Sequence, residues 1–182
     1  MGPTQTLPQL CPDKQNRATK AALCANLFTM QMCGVFKALG PDVFHNLVRG
    51  ISIGKLKTYQ VYERFKARAR LVKLNSEALK KAEPKFWARL EAGEEDFATD
   101  LSQVLLLSHL DMIAAILNSM GIPNEQGFFD KDLKPEEYLK EGWQKRVFDE
   151  FAGKYQRDIV LFYINHLDWE LNKTEQVFLP AA

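Results

Sequence analysis

The chain has 182 residues, of which 46% are apolar and 26% are charged, and its 24 Lys and Arg nearly balance its 23 Asp and Glu. This composition is typical of one soluble globular domain. A domain of this length buries roughly 70% of the surface that its unfolded chain exposes, which excludes a need for disulfides or a structural metal to hold its core.

The amino-terminal part is predicted to be an arm followed by a long helix. Three prolines mark residues 1–12 as a flexible arm, and residues 13–182 are predicted to form a single all-helical domain. A first helix is predicted over about 14–39, and Gly40-Pro41 ends it. Apolar residues cover most of the circumference of this helix, so we expect it to lie centrally.

Three further helices are predicted in the next part of the chain. Residues 42–49 form a short helix, and residues 55–73 form a longer one with an apolar stripe and a basic opposite face. A fourth helix begins near Ser76 and ends at Gly93. Pro84 within it predicts either a kink or a fresh first turn.

The longest helical pattern covers residues 95–120, which corresponds to about 35 Å of helix. Its few polar residues are scattered around the axis, so we predict that it is the centre of the fold. The connection over 122–134 is long for a compact domain. Its two aromatic residues, Phe128 and Phe129, predict that it docks onto the core.

Two helices are predicted near the carboxyl end, over 135–151 and from Asp158 to Leu171. The tail over 177–180 is apolar enough to pack back or to be bound by another molecule. No alternating run is long enough to predict a sheet. The sequence therefore predicts an all-α domain of about six to seven helices, packed around the long helix at about 95–120.

Cysteine usage and hydropathy predict a cytoplasmic protein with no membrane partner. The chain has three cysteines, an odd number, and Cys24 and Cys33 lie about 13 Å apart along the predicted helix, too far for a disulfide. Reduced thiols are expected in the cytosol. The longest uncharged run, residues 21–36, is short and polar for a bilayer core, and no export signal is predicted.

Charge is strongly divided along the chain. Residues 49–89 carry twelve Lys and Arg against three Asp and Glu, whereas residues 90–170 carry seven against seventeen. Our leading hypothesis is a non-catalytic protein-interaction or self-association domain, in which these basic and acidic surfaces pair within one chain, across a homodimer or with a protein partner. The candidate partner-binding or anion-binding residues are Arg49, Lys55, Lys57, Arg64, Arg68, Arg70, Phe128 and Phe129.

The alternative is a helical-bundle enzyme, or a ligand-binding or metal-binding protein, that uses two repeated triplets. The triplets are His109-Leu110-Asp111 and His166-Leu167-Asp168, and imidazole and carboxylate are ligands for zinc, iron or manganese. Positions i and i+2 lie about 200° apart on a helix, so each triplet can direct its His or its Asp at a shared point, but not both. A buried histidine satisfied by a carbonyl or carboxylate is the commoner outcome.

Nucleic-acid binding through the basic helix over 55–73 is a third hypothesis, with Tyr59 or Tyr62 stacking on an unpaired base. The acidic residues over 90–170 would repel the same ligand, which makes this interaction less favoured.

The sequence motifs for phosphate binding, metal binding and covalent catalysis are incomplete in this chain. The segment Gly50-Ile-Ser-Ile-Gly54-Lys55 resembles a phosphate loop, but only three residues separate its glycines, and Leu56 follows the lysine where Ser or Thr is needed. No Glu-x-x-His pattern of a di-iron bundle occurs in the sequence. The sequence therefore predicts no cofactor.

Overall fold

The computed structural model describes most of the chain from residue 32 onward, as residues 32–58, 76–130, 132–173 and 176–181. These residues form helices and no strand, with one isolated bridge between Glu125 and Phe128, which confirms the all-α prediction. The predicted arm, most of the first predicted helix and most of the basic helix lie outside the described residues.

The helices are numbered here in chain order. They are α1 (Met32–Leu39), α2 (Pro41–Arg49), α3 (Ile53–Thr58), α4 (Ser76–Glu91), α5 (Glu95–Leu107), α6 (Leu110–Ser119), α7 (Pro135–Tyr138), α8 (Trp143–Phe151) and α9 (Arg157–Asn172). The predicted helix over 42–49 corresponds to α2, and α4 runs through Pro84 without ending there.

The first described turn of α1 is capped by a side chain distant in sequence. The carboxylate of Glu95 accepts hydrogen bonds from the backbone N–H groups of Met32 and Cys33, the latter at 3.1 Å. The first amides of a helix have no partner within the helix, so this contact satisfies two of them and ties α1 to α5. Cys33 itself is buried, and burial raises the pKa of its thiol to about 11.

The segment predicted as one long helix is helical but bent, because α5 and α6 meet at an angle of 80°. At the break, the hydroxyl of Ser108 donates to the carbonyl of Val104, and Nδ1 of His109 lies 2.8 Å from the carbonyl oxygen of Leu105. The backbone of His109 leaves the helical region, with a φ of −132° and a ψ of 31°, and the next helix begins at Leu110.

The predicted helix over 135–151 is likewise divided, into α7 and α8. Gly142 lies between them with a φ of +72°, in the left-handed region that glycine adopts without a steric penalty. An α-helix cannot continue through that backbone conformation.

Among the helices that the structure describes, α9 is the most enclosed, rather than the segment over 95–120. Ten consecutive residues of α9, from Ile159 to Asp168, are buried, so neighbouring elements cover the helix on every side. Phe162 stacks on Phe36 of α1 with ring centroids 5.1 Å apart. The same aromatic group continues to Phe44 of α2, whose ring meets that of Phe36 edge-on.

The carboxyl-terminal tail packs back onto α9, one of the two outcomes expected for it. The side-chain amide of Asn165 accepts from the backbone N–H of Phe178 at 2.7 Å and donates to its carbonyl at 3.0 Å. The ring of Phe178 meets that of Phe148 at 6.1 Å.

Among the helices that the structure describes, none is long and apolar enough by itself to cross a bilayer. Helices α5 and α6 satisfy that length and hydropathy only when taken together as the bent pair.

Candidate functional site

The first histidine triplet ends in two different environments. His109 is partly buried at the α5–α6 junction, where burial lowers the pKa of its imidazole. Asp111 points to solvent with 90% of its side chain exposed, and its Oδ2 lies 3.0 Å from Nζ of Lys55. The triplet therefore separates its imidazole from its carboxylate, although the cause is the helix break before Leu110 rather than the spacing along one helix.

The second triplet also separates its imidazole from its carboxylate, within α9. Burial lowers the pKa of His166 to about 4, so its imidazole is neutral at pH 7. Nδ1 of His166 lies 3.7 Å from Oε2 of Glu170. Asp168 is engaged elsewhere, because its carboxylate accepts hydrogen bonds from Gln144 and Asn172.

The four residues of the alternative metal site do not converge. Within the part of the chain that the structure describes, no group of three or more His, Cys, Asp and Glu side chains could hold a metal ion. Of the two histidines, His166 lines the pocket described below and His109 does not. A metal centre built from both triplets has no geometric support in these residues.

Two of the candidate basic residues form ion pairs within the fold. Nε of Arg49 lies 3.2 Å from Oε1 of Glu83, whose side chain is only 3% exposed. Nζ of Lys55 lies 3.0 Å from Oδ2 of Asp111, and this ion pair joins α3 to α6. The remaining basic candidates are not described by the structure, namely the side chain of Lys57 and the whole of Arg64, Arg68 and Arg70.

A pocket of about 330 Å³ lies beside α9, and we call it the α9 pocket. Helices α5, α6 and α9 and the loop after α6 form its walls. Most lining side chains are apolar or aromatic; among the polar ones, Gln103 lies on α5 and the others lie on α9. The lining residues are Gln103, Leu106, Leu107, Leu110, Ile113, Gly127, Phe128, Phe129, Tyr163, His166 and Glu170.

Three of the polar lining residues lie on one face of α9. Tyr163, His166 and Glu170 are spaced three and four residues apart, which places them in one row along α9. Burial of Tyr163 raises the pKa of its phenol, so the hydroxyl stays protonated. That hydroxyl is buried and makes no hydrogen bond to any residue that the structure describes.

The loop after α6 closes one side of the pocket and is docked, as predicted. Phe129 packs against the core, whereas Phe128 is 52% exposed at the pocket rim. The side-chain oxygen of Asn124 accepts from the backbone N–H of Gly127. Gly127 has a φ of +92°, and a Cβ there would lie 3.1 Å from the carbonyl oxygen of Leu110, so glycine lets the loop approach α6 closely.

Sequence reasoning identified His166, Phe128 and Phe129 but missed Tyr163 and Glu170. The available signal was the spacing itself, because these two residues share a helical face with His166. Comparison with protein-family models, curated proteins and solved structures found no match to the chain. The chemistry of the α9 pocket is therefore inferred from its own side chains.

Proposed function

We propose that this protein binds a small organic molecule in the α9 pocket. The observation that carries the proposal is that Tyr163 lines the pocket and that its buried hydroxyl has no hydrogen-bond partner among the described residues. An apolar pocket with a few convergent polar groups and perturbed pKa values is the usual form of a ligand site.

The free-energy cost of that hydroxyl supports the same conclusion. Leaving a buried donor unsatisfied costs about 1–3 kcal/mol, which a purely structural core avoids by placing Phe at such a position. A ligand that offers an acceptor to Tyr163 would recover much of this cost on binding. The binding-competent pocket would then be less stable when empty than its apolar variant.

The pocket is also suited to a ligand in size and lining. Its volume of about 330 Å³ lies at the lower end of the range for small-molecule sites. Leu106, Leu110 and Ile113 provide an apolar wall, which fits the body of a ligand. The row on α9 would orient its polar atoms.

A neutral phenol tests this function. We expect 4-ethylphenol to bind the wild-type protein with saturable heat in isothermal titration calorimetry. Leu107→Trp places a larger side chain at the pocket wall and should abolish binding. Leu139→Trp is the matched control, because Leu139 is also half-buried but does not line the pocket. The proposal is contradicted if both variants still bind 4-ethylphenol, or if the wild type does not bind it.

A second candidate is binding of a protein partner or self-association through the charged surfaces. The exposed ring of Phe128 favours it, since this ring offers an apolar anchor. Reversing Arg64, Arg68 and Arg70 to Glu should then disrupt assembly. An unchanged mass in light scattering would count against this candidate.

The cytoplasmic location and the nucleic-acid hypothesis remain proposals. The odd number of cysteines and the buried free thiol of Cys33 support a reducing compartment. Nucleic-acid binding by residues 55–73 would weaken steeply with salt, and fluorescence anisotropy on single-stranded and double-stranded probes measures that directly.

A further inference from the structure

The carboxyl-terminal tail over 177–180 is held on α9 through its backbone. Asn165 is only 3% exposed, and its side-chain amide bonds both the N–H and the carbonyl of Phe178. The amide nitrogen also donates to the carbonyl of Leu161 at 2.9 Å, which fixes its orientation. Every residue except proline has the same backbone donor and acceptor, so this site can bind an extended segment of another chain in the same way.

Only part of the tail is buried against the domain. Val177 and Phe178 are half-buried, and Leu179 is 57% exposed. The ring of Phe178 packs against that of Phe148 on α8. Residues 176–181 form no helix or strand, so the tail can leave α9 without unfolding an element of secondary structure.

The connection from α9 to the tail is short and contains a strained residue. Helix α9 ends at Asn172, and the four residues 173–176 precede Val177. Lys173 has a φ of +52° and a ψ of +36°, in the left-handed region that a residue with a Cβ rarely adopts. Short, strained connections favour exchange of the following segment between two copies of a chain.

We propose that two copies of this chain exchange their tails, so that Phe178 of each copy binds Asn165 and Phe148 of the other. A second copy is the occupant of this site, because it carries the identical segment and makes the same bonds. The exchanged form extends the chain at residue 173 and so releases the left-handed turn. Asn165 and Phe148 do not line the α9 pocket, so tail exchange does not rest on small-molecule binding.

Cross-linking between isotopically different copies tests the exchange. Phe178→4-azidophenylalanine keeps the ring and adds a photoreactive group, and the full-length variant is prepared in light and heavy nitrogen-isotope forms. Equal amounts are mixed, incubated at about 0.5 mM, irradiated and digested for mass spectrometry. We expect about half of the dimers to join the tail peptide of one isotope to an α8 or α9 peptide of the other. Mixing at about 1 μM instead should reduce these mixed cross-links at least about tenfold, because exchange depends on concentration.

Two substitutions of Lys173 test the connection. Lys173→Gly removes the strain of the left-handed turn in the closed monomer, so the dissociation constant of the dimer should rise at least about tenfold. Lys173→Ala is the matched control, because it removes the same contact of the lysine with the ring of Trp169 but keeps a Cβ at the strained position. Its dissociation constant should not exceed that of the wild type by more than about threefold. Sedimentation equilibrium measures both values.

A second photoreactive position keeps the result independent of any change in folding at Phe178. Leu179→4-azidophenylalanine places the group at an exposed residue of the same tail. Absence of mixed-isotope cross-links at both positions would overturn the exchange, whether the protein is monomeric or dimerises through another surface. The Asn165 site would then bind only the tail of its own chain. Equal dimer affinities of Lys173→Gly and Lys173→Ala would also overturn it.

Discussion

Replacing Tyr163 by Phe should make the ligand-free protein more stable. The substitution removes a hydroxyl that is buried and has no partner among the described residues, and it keeps the ring that packs in the core. The unsatisfied group costs about 1–3 kcal/mol, so we expect the free energy of unfolding to rise by about 1–2 kcal/mol. For a domain of this size, that gain raises the melting temperature by about 2–8 °C.

The same variant should bind 4-ethylphenol more weakly. A hydrogen bond between the phenol and Tyr163 contributes about 0.5–1.5 kcal/mol, which corresponds to about a 2-fold to 12-fold increase in the dissociation constant. Stability and affinity therefore change in opposite directions. That combination distinguishes a ligand-binding hydroxyl from one with a structural role, for which both would fall.

Urea denaturation and calorimetry on wild type and Tyr163→Phe measure the two effects. Tyr155→Phe is the matched control, because Tyr155 is exposed and loss of its hydroxyl should change stability by less than about 0.5 kcal/mol. A loss of about 1 kcal/mol or more in Tyr163→Phe would show that the hydroxyl is hydrogen-bonded in the folded protein. That result would refute the reasoning.

Three further predictions concern pH, a buried ion pair and the loop. The pKa of His166 falls from about 6.5 to about 4 on folding, so the unfolded state binds more protons between those values. The free energy of unfolding should therefore fall by about 3 kcal/mol as the pH drops from 6.5 to 4. Urea titrations over the same pH range should show a correspondingly smaller fall for His166→Gln than for the wild type. Arg49→Met removes the guanidinium from the buried carboxylate of Glu83 and leaves only the imidazole of His45, at 3.9 Å, so it should cost about 2 kcal/mol. The double variant with Glu83→Gln should recover most of this loss, and an additive loss in denaturation would contradict the pairing. Gly127→Ala should lower the free energy of unfolding by about 1–3 kcal/mol, because residue 127 has a positive φ and lies close to the carbonyl of Leu110. The same variant should weaken binding of 4-ethylphenol. An unchanged affinity would show that the loop does not shape the pocket.

The helical class and most helix positions could be predicted from local signals. Hydrophobic periodicity, Pro41 and Gly93 mark helix limits without knowledge of the tertiary fold. The bend between α5 and α6 could not be predicted in this way. Ser108 and His109 are both tolerated inside helices, and only the non-helical backbone of His109 shows that a helix ends there.

The candidate site shows the same division between local and tertiary information. The helical spacing predicted the separation of imidazole and carboxylate in the second triplet, which lies within α9, whereas the first triplet spans the break between α5 and α6. Sequence could not show that His166 lines a pocket while His109 bonds to its own helix, because this depends on which elements pack nearby. The missing partner of Tyr163 is likewise a property of the whole fold, since the sequence alone presents a helix residue suited to the core.

The ion pair between Arg49 and Glu83 explains why one candidate anion-binding residue has a structural role. The two residues are 34 positions apart, on α2 and α4, and Glu83 lies in a lysine-rich segment that is typical of a solvated face. Its burial follows from the packing of these two helices. No periodicity in the sequence indicates it.

A crystal structure of the protein with 4-ethylphenol tests the central claim most directly. We predict that the phenol occupies the α9 pocket, with its ring against Ile113 and its oxygen about 3 Å from the hydroxyl of Tyr163. A probe bound elsewhere on the protein, or one in the pocket with the Tyr163 hydroxyl still unbonded, would contradict the account.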